Sequence, residues 1–358
     1  MKIALVIYGS LDTLSGGYLY DRRLVEYLNR CGDSVEIISI PWRDYARHLA
    51  DNFSPGLIHR LESLDVDVLL EDELNHPSLI LANRRLKRRR VYPIISIVHH
   101  LRSSELRPAW QNRFYRWIEH AYLESADGFI FNSRNTQATV QALAGLGRPA
   151  VVAYPAADHI VPKIDEDEIA RRAHRPGPVH LLFVGNVIRR KGLRTVLAAL
   201  SRLPGDAFTL EVVGSLSVDG GYAAAIRRQI AELSLEASVH LHGALGEAEL
   251  ALQFRRAQVL VLPSSYEGFG IVYLEGMGFG LPCIATTAGA ASEIIDDGQT
   301  GFLISPENPQ ALAACLGRLA ADRGLLRRMS LAARRRYNLH PTWEQTAAKI
   351  RDYLLTFA

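Results

Sequence analysis

Two glutamates eight positions apart, Glu267 and Glu275, bracket the turn Gly268-Phe269-Gly270 and the opening of a segment with helical spacing. The β-branched apolar run at 259–262 ends at Pro263 and reads as a buried parallel strand. The glutamates therefore flank a strand–loop–helix junction, where backbone N–H groups at the helix start suit an anion or a sugar hydroxyl. Either Glu267 caps the helix and Glu275 has a structural partner such as an arginine, or both hold a ligand. A second set follows the apolar run 179–184: Gly185 and Asn186, then the consecutive cations Arg189, Arg190 and Lys191 before Gly192. Cations beside a helix start favour a pyrophosphate, and the plain alternative is three ordinary loop cations. A third is His99-His100, closing the apolar run 94–98. A histidine at a strand tip polarises a sugar hydroxyl or accepts its proton near neutral pH; the alternative is a solvent-exposed pair. No carboxylate or cysteine set accompanies it in the sequence, so no metal site is expected. Finally Gly16-Gly17 falls in the expected loop between strand 3–8 and helix 18–30, where adjacent glycines admit a phosphate or sugar to the backbone. There is no G-x-G-x-x-G, so neither a nicotinamide nor a flavin site is supported.

These groups need strand ends to hold them, and the chain supplies two series. Short apolar runs alternate with amphipathic stretches, the pattern of α/β domains with parallel sheets. The first series has strand candidates at 3–8, 34–40, 66–70, 94–98, 128–131 and 150–153. The second has them at 179–184, 209–213, 239–241, 259–262, 282–285 and 302–304. At 358 residues the chain is long for one core and suits two. The expected division is an N-terminal Rossmann-like domain over 1–157, a linker over 158–178 rich in proline and charge, and a C-terminal Rossmann-like domain over 179–342. Ligands of such sheets bind at the carboxyl ends of the strands.

Pro263-Ser264 before Glu267, the Glu-x7-Glu spacing, Gly280-Leu281-Pro282, Gly289 to Glu293 and Asp297-Gly298-Gln299-Thr300-Gly301-Phe302-Leu303 together resemble the C-terminal signature of retaining glycosyltransferases of family 4. The resemblance is specific over these forty or so residues and continues less specifically along most of the chain. It implies a GT-B fold, two Rossmann-like domains facing across a cleft, with helix 343–358 crossing back to the N-terminal domain. It implies a metal-independent transferase that moves a hexose from a nucleotide diphosphate sugar to an acceptor, with no cofactor. The donor site it implies comprises Gly16, Gly17, Gly185, Lys191, Glu267, Gly268, Phe269, Gly270 and Glu275. Within it Glu267 lies beside the sugar hydroxyls, Glu275 holds the ribose, and Lys191 and His99 act at the reacting centre. One position departs: the family's arginine after the glycine is Asn186 here, so Arg190 or Arg189 is expected to compensate. Asp158 resembles a landmark before the linker, with a structural role. A sugar phosphorylase or nucleotide-sugar hydrolase on the same architecture, or a non-catalytic nucleotide-sugar-binding protein, are the alternatives.

Other features bound the partners. A net charge of +3 gives no field for nucleic acid. The run from Arg84 to Arg90 holds six cations in seven positions, either a solvated helix end or a surface for anionic lipid headgroups. Trp110, Phe114 and Trp117 share a helical face that reads first as core, alternatively as an acceptor groove or a bilayer-interface stripe. Three scattered cysteines, Cys31, Cys283 and Cys315, fit a reducing compartment. No membrane-spanning run or signal peptide is legible, so a cytoplasmic protein, peripheral at a membrane or not, is expected.

Overall fold

The computed structural model describes residues 1–13, 15–89, 91–145 and 147–358. Two compact units result: Met1–Pro155 with Pro341–Ala358, and Ala156–His340. Each is built on a six-stranded, wholly parallel sheet.

In the N-terminal unit the strands are β1 (Lys2–Tyr8), β2 (Ser34–Ile40), β3 (Val68–Asp72), β4 (Ile94–Val98), β5 (Gly128–Phe131) and β6 (Ala150–Val152). Their spatial order is β2-β1-β3-β4-β5-β6. In the C-terminal unit they are β7 (Val179–Val184), β8 (Phe208–Val213), β9 (Val239–Gly243), β10 (Val259–Val261), β11 (Cys283–Thr286) and β12 (Gly301–Ile304), ordered β12-β11-β10-β7-β8-β9. The order reverses direction between β1 and β3 in the first sheet and between β7 and β10 in the second. Crevices open at the carboxyl ends of strands at such switch points. The central strands β3, β4 and β5 are buried at every position, and β4 and β5 accordingly read as largely apolar runs rather than alternations.

Four local differences from the sequence reading matter for function. First, β3 lies two residues further on than the apolar run 66–70, because Glu71 and Asp72 are strand residues buried in the unit. Second, Gly16 and Gly17 are not a loop but the first turn of helix Gly16–Arg30, whose start Ser15 caps by accepting a hydrogen bond from the Tyr18 N–H (3.3 Å). Third, residues 158–178 are not a bare linker. They contain helix Glu166–Ala173, whose buried Arg172 donates to the carbonyls of Arg255 (3.0 Å) and Phe279 (2.7 Å) and ties the segment into the C-terminal unit. Fourth, the face carrying Trp110, Phe114 and Trp117 on helix Ala109–Leu123 is exposed, and the buried face is Ile118, Glu119, Tyr122 and Leu123.

The terminal helix Trp343–Leu354 is part of the N-terminal unit, opened by a capping box between Thr342 and Gln345. Its Arg351 pairs with Asp33 (2.6 Å), and its Thr346 hydroxyl donates to the Tyr154 carbonyl (2.7 Å). The basic run closes helix His76–Arg89, with Arg90 outside the described residues. It is not simply solvated: Arg85 and Arg89 pair with Glu62, and Lys87 with Asp127 (2.9 Å). Among the described residues no helix is long and apolar enough to cross a membrane, and Cys31, Cys283 and Cys315 are all thiols.

Candidate active site

In the C-terminal unit the tips of β7 and β10 bring Lys191 and Glu267 together across 76 residues of chain, with Lys191 Nζ 2.6 Å from Glu267 Oε1. The three cations form a single 3-10 turn, Arg189–Lys191, closed by Gly192. That turn separates their fates. Arg190 donates to the Tyr266 carbonyl (2.8 Å) and lies 3.5 Å from Glu267 Oε2, while Arg189 sits over the Tyr222 ring, 5.9 Å from its centroid. Ser264 Oγ donates to Glu267 Oε1 (2.7 Å). Burial alone would push the Glu267 carboxyl up, but the Lys191 and Arg190 charges beside it outweigh that and hold it at about 2. Glu267 is thus a fixed anion and a hydrogen-bond acceptor, not a helix cap.

The cap of helix Ile271–Gly278 is Gly270, at φ +98° with no capping side chain. A Cβ there would come within 2.5 Å of the Tyr273 ring, so the turn requires glycine. The Tyr273 N–H of its first turn donates to the Gly270 carbonyl (3.0 Å), while those of Ile271 and Val272 have no acceptor within the helix. Phe269 is buried, its ring centroid 5.9 Å from that of His340. Glu275 sits one turn further along, paired not with an arginine but with His159 Nε2 (3.1 Å), both side chains mostly buried. Gly185 ends β7 against the methylenes of Lys191, donating its N–H to the Val213 carbonyl (2.8 Å). Asn186 Oδ1 accepts from the Ser215 N–H (3.3 Å) and so stitches two strand-end loops together. Of the two arginines expected to compensate for Asn186, Arg190 lies beside Glu267 and Arg189 over the Tyr222 ring.

In the N-terminal unit His99 follows β4 and lies behind the start of helix Gly16–Arg30. A Cβ on Gly17 would stand 3.2 Å from His99 Cδ2, so the glycine lets helix and ring meet. His99 Nε2 is 3.4 Å from Asp21 Oδ1, an ion-pair rather than a hydrogen-bond separation. Asp21 is fully buried, and neither of its carboxylate oxygens has a hydrogen-bond partner among the described residues. Burial pushes the imidazole down, but Asp21, followed by Asp72 and Glu73, overrides it and raises His99 to about 9. That shift favours the imidazolium, a donor, and so the hydroxyl-polarising role over the proton-accepting one of the two that the sequence left open. His100 Nε2 turns aside to Glu105 Oε1 (3.1 Å).

Asp21, Asp72 and His99 offer donor atoms within 4.8 Å of one another, and so do Glu73, His76 and Glu119. In the first set the imidazolium already supplies the positive charge. In the second, His76 is engaged on both nitrogens, Nδ1 by the Glu73 carbonyl (3.0 Å) and Nε2 by the Tyr45 hydroxyl (2.9 Å). Glu73 and Glu119 are raised to about 7 chiefly by burial, with His100, His99 and then Arg102 easing Glu73.

Two family models match in tandem: Glycosyltransferase Family 4 over residues 16–159 and Glycosyl transferases group 1 over residues 165–336. Between them they take in Gly16, Gly17, His99, Lys191, Glu267 and Glu275. The chain belongs to the family 4 glycosyltransferases. Sucrose-phosphate synthase from Thermosynechococcus elongatus superposes with a TM-score of 0.84 at 21% identity over 99% of this chain and 98% of that one. The Anabaena protein Alr3699/HepE, in complex with UDP-glucose, does so at 0.79 and 18% identity over 99% and 100%. The fold is therefore GT-B. Glycogen synthase from Mycobacterium tuberculosis is 33% identical over 182 residues, 50% of this chain, and the match spans 42% of that relative's length. The chain carries two supporting groups that the sequence did not single out, Asp21 behind His99 and His159 behind Glu275. Asp21 sits four residues beyond Gly17, one helical turn on, and that spacing was the available signal.

Proposed function

We propose that this glycosyltransferase moves a hexose from a UDP- or GDP-linked sugar to an acceptor with retention of anomeric configuration and without a metal ion. The observation that carries the reading is the convergence of Lys191 and Arg190 on Glu267 at the β7 and β10 tips. Two cations against one carboxylate leave a net positive charge, which is what a departing diphosphate requires. Helix-start N–H groups at Gly268 to Gly270 and beyond add to it. The UDP-glucose complex of the Anabaena relative supports a nucleotide sugar as donor.

In this reading Glu267, ionised and already fixed by Lys191 and Ser264, accepts hydrogen bonds from the sugar hydroxyls and is not a covalent nucleophile. Glu275, oriented by His159, holds the ribose hydroxyls. The His99 imidazolium donates to an oxygen of donor or acceptor. The acceptor hydroxyl attacks from the face the diphosphate leaves, and the diphosphate oxygen takes its proton, so retention needs no side-chain base. Glycan, glycolipid or small-molecule glycoside synthesis all fit this chemistry.

A second reading has one observation in its favour. Asn186 is committed to Ser215, so the site has one cation fewer than the family pattern, which suits a nucleotide-sugar binder without turnover. Incubation with UDP- and GDP-sugars, with and without a panel of sugar, lipid-linked and small-molecule acceptors, separates the readings by mass spectrometry. Acceptor-dependent glycoside is the expected product. Free sugar alone, sugar 1-phosphate, or binding with no product over the whole panel would overturn the transferase.

A further inference from the structure

Glu73, His76 and Glu119 form a second buried cluster in the N-terminal unit, and the transfer proposed above makes no use of it. Glu73 opens the 3-10 turn Glu73–Asn75 at the end of β3, and His76 opens the helix that follows. The Glu-x-x-His spacing puts both side chains on one side of a helical turn. Glu119 comes from the inward face of helix Ala109–Leu123. The three residues are 4%, 2% and 0% exposed, and one donor atom from each lies within 4.8 Å of the other two.

Two carboxylates buried this close together need a counter-charge. The cluster around Asp21 has the His99 imidazolium for that purpose. Here no lysine or arginine pairs with either glutamate among the described residues, and Arg102 lies instead over the rings of Tyr45 and Tyr115, 5.1 and 4.8 Å from their centroids. The Ser103 N–H donates to Glu119 Oε1 (3.1 Å). Glu119 Oε2 and Glu73 Oε1 are buried with no hydrogen-bond partner among the described residues.

The geometry fits a metal ion. His76 Nδ1 stands 3.2 Å from Glu73 Oε1, the span of two ligands that subtend about 100° at an ion with bonds of ~2.1 Å. The Tyr45 hydroxyl, 2.9 Å from His76 Nε2, can accept from an Nε2–H. That tautomer frees the Nδ1 lone pair and gives the ring the outer partner that ligating histidines have. The contact of Nδ1 with the Glu73 carbonyl (3.0 Å) is then exchanged for the ion. One imidazole and two carboxylates suit Zn²⁺ or Mn²⁺, and the two negative charges leave the buried site neutral. We infer that Glu73, His76 and Glu119 bind one divalent transition-metal ion, which clamps the end of β3 and the helix after it to helix Ala109–Leu123. The ion is structural and takes no part in the transfer. Because all three side chains are buried, it enters as the unit folds.

The test is the metal content of the untagged full chain by plasma mass spectrometry, after expression and after refolding with Zn²⁺ or with Mn²⁺. Affinity is read by competition with a chromogenic chelator, and melting by calorimetry before and after the ion is stripped. Wild type, E119Q, Y45F and D21N are compared. Wild type holds about one ion per chain and melts several degrees lower once stripped. E119Q keeps the shape of the side chain and the Ser103 contact, so stripped E119Q melts no lower than stripped wild type. It nevertheless binds the ion more than about 100-fold less tightly, and Y45F, which loses only the outer partner, about 10- to 100-fold less. D21N keeps the wild-type metal content. Absence of bound ion in wild type after refolding with either metal overturns the inference and leaves the two carboxyls to share a proton. An ion held at wild-type affinity by E119Q, or lost from D21N instead, overturns it as well.

Discussion

Replacing Lys191 by alanine separates two jobs of one ammonium group, the ion pair with Glu267 seen in the structure and the proposed hold on the donor diphosphate. The Glu267 side chain is only 10% exposed, and its carboxyl is held at about 2 against an ordinary value near 4.3. That difference corresponds to about 3 kcal/mol of stability. The sign follows from the lowered value: the stabilisation is fully present above the unfolded-state pKa and is lost as pH falls through about 2. Lys191→Ala removes the nearest cation but leaves Arg190 at 3.5 Å and the Ser264 hydroxyl at 2.7 Å. The loss at pH 7 should be about 1–2 kcal/mol, below the ~3–5 expected when a buried charge is stranded altogether. For a unit of this size that lowers the melting temperature by several degrees. Glu267→Gln in the same background should recover most of the loss, because the neutral amide needs no cation. Donor affinity should behave otherwise. A charge-assisted hydrogen bond to the diphosphate is worth ~1.5–3 kcal/mol, so Lys191→Ala should weaken UDP or GDP binding by about 10- to 150-fold, and the double variant should not restore it. Calorimetric melting and nucleotide titration of the four-member cycle supply both readouts. Additive stabilities would refute the ion pair; donor binding rescued in the double variant would show that Lys191 serves only Glu267.

Three further outcomes follow from the same geometry. Because His99 is raised to about 9, activity should hold through neutral pH and fall as pH rises through that value, and Asp21→Asn should move the falling limb toward pH 6.5, read from a pH–rate profile or an imidazole titration by NMR. An unmoved limb would remove Asp21 as the group that charges the ring. Gly17→Ala should leave stability within about 1 kcal/mol, helix propensity offsetting the crowding, while lowering turnover because the new Cβ, 3.2 Å from His99 Cδ2, displaces the ring; wild-type turnover would show that ring placement is unimportant. Chelation with EDTA should leave transfer intact, and a strict requirement for added divalent ion would contradict the charge assignment to Lys191 and Arg190.

Much of the architecture was legible because central parallel strands are uniformly apolar and breaks between them are polar. β4, Ile94–Val98, falls on the residues expected. β3 was read two residues early because Glu71 and Asp72 are acids inside a buried strand, a placement that tertiary context alone allows. Glu267 and Lys191 could each be singled out as a candidate from its local motif. Their pairing could not, because 76 residues separate them. The same holds for His159 and Glu275, on a loop and a helix whose approach only packing decides. The Trp110–Trp117 stripe inverted the usual rule: spacing identifies a face but not its direction, and here buried Glu119 lies on the inward side.

Titration of nucleoside diphosphates against the corresponding monophosphates tests the central claim most directly, because the Lys191–Arg190–Glu267 cluster is argued to read the diphosphate. UDP or GDP should bind wild type at least about tenfold more tightly than UMP or GMP, and the margin should vanish in Lys191→Ala. Equal affinity for diphosphate and monophosphate, or a margin that survives the substitution, would contradict it.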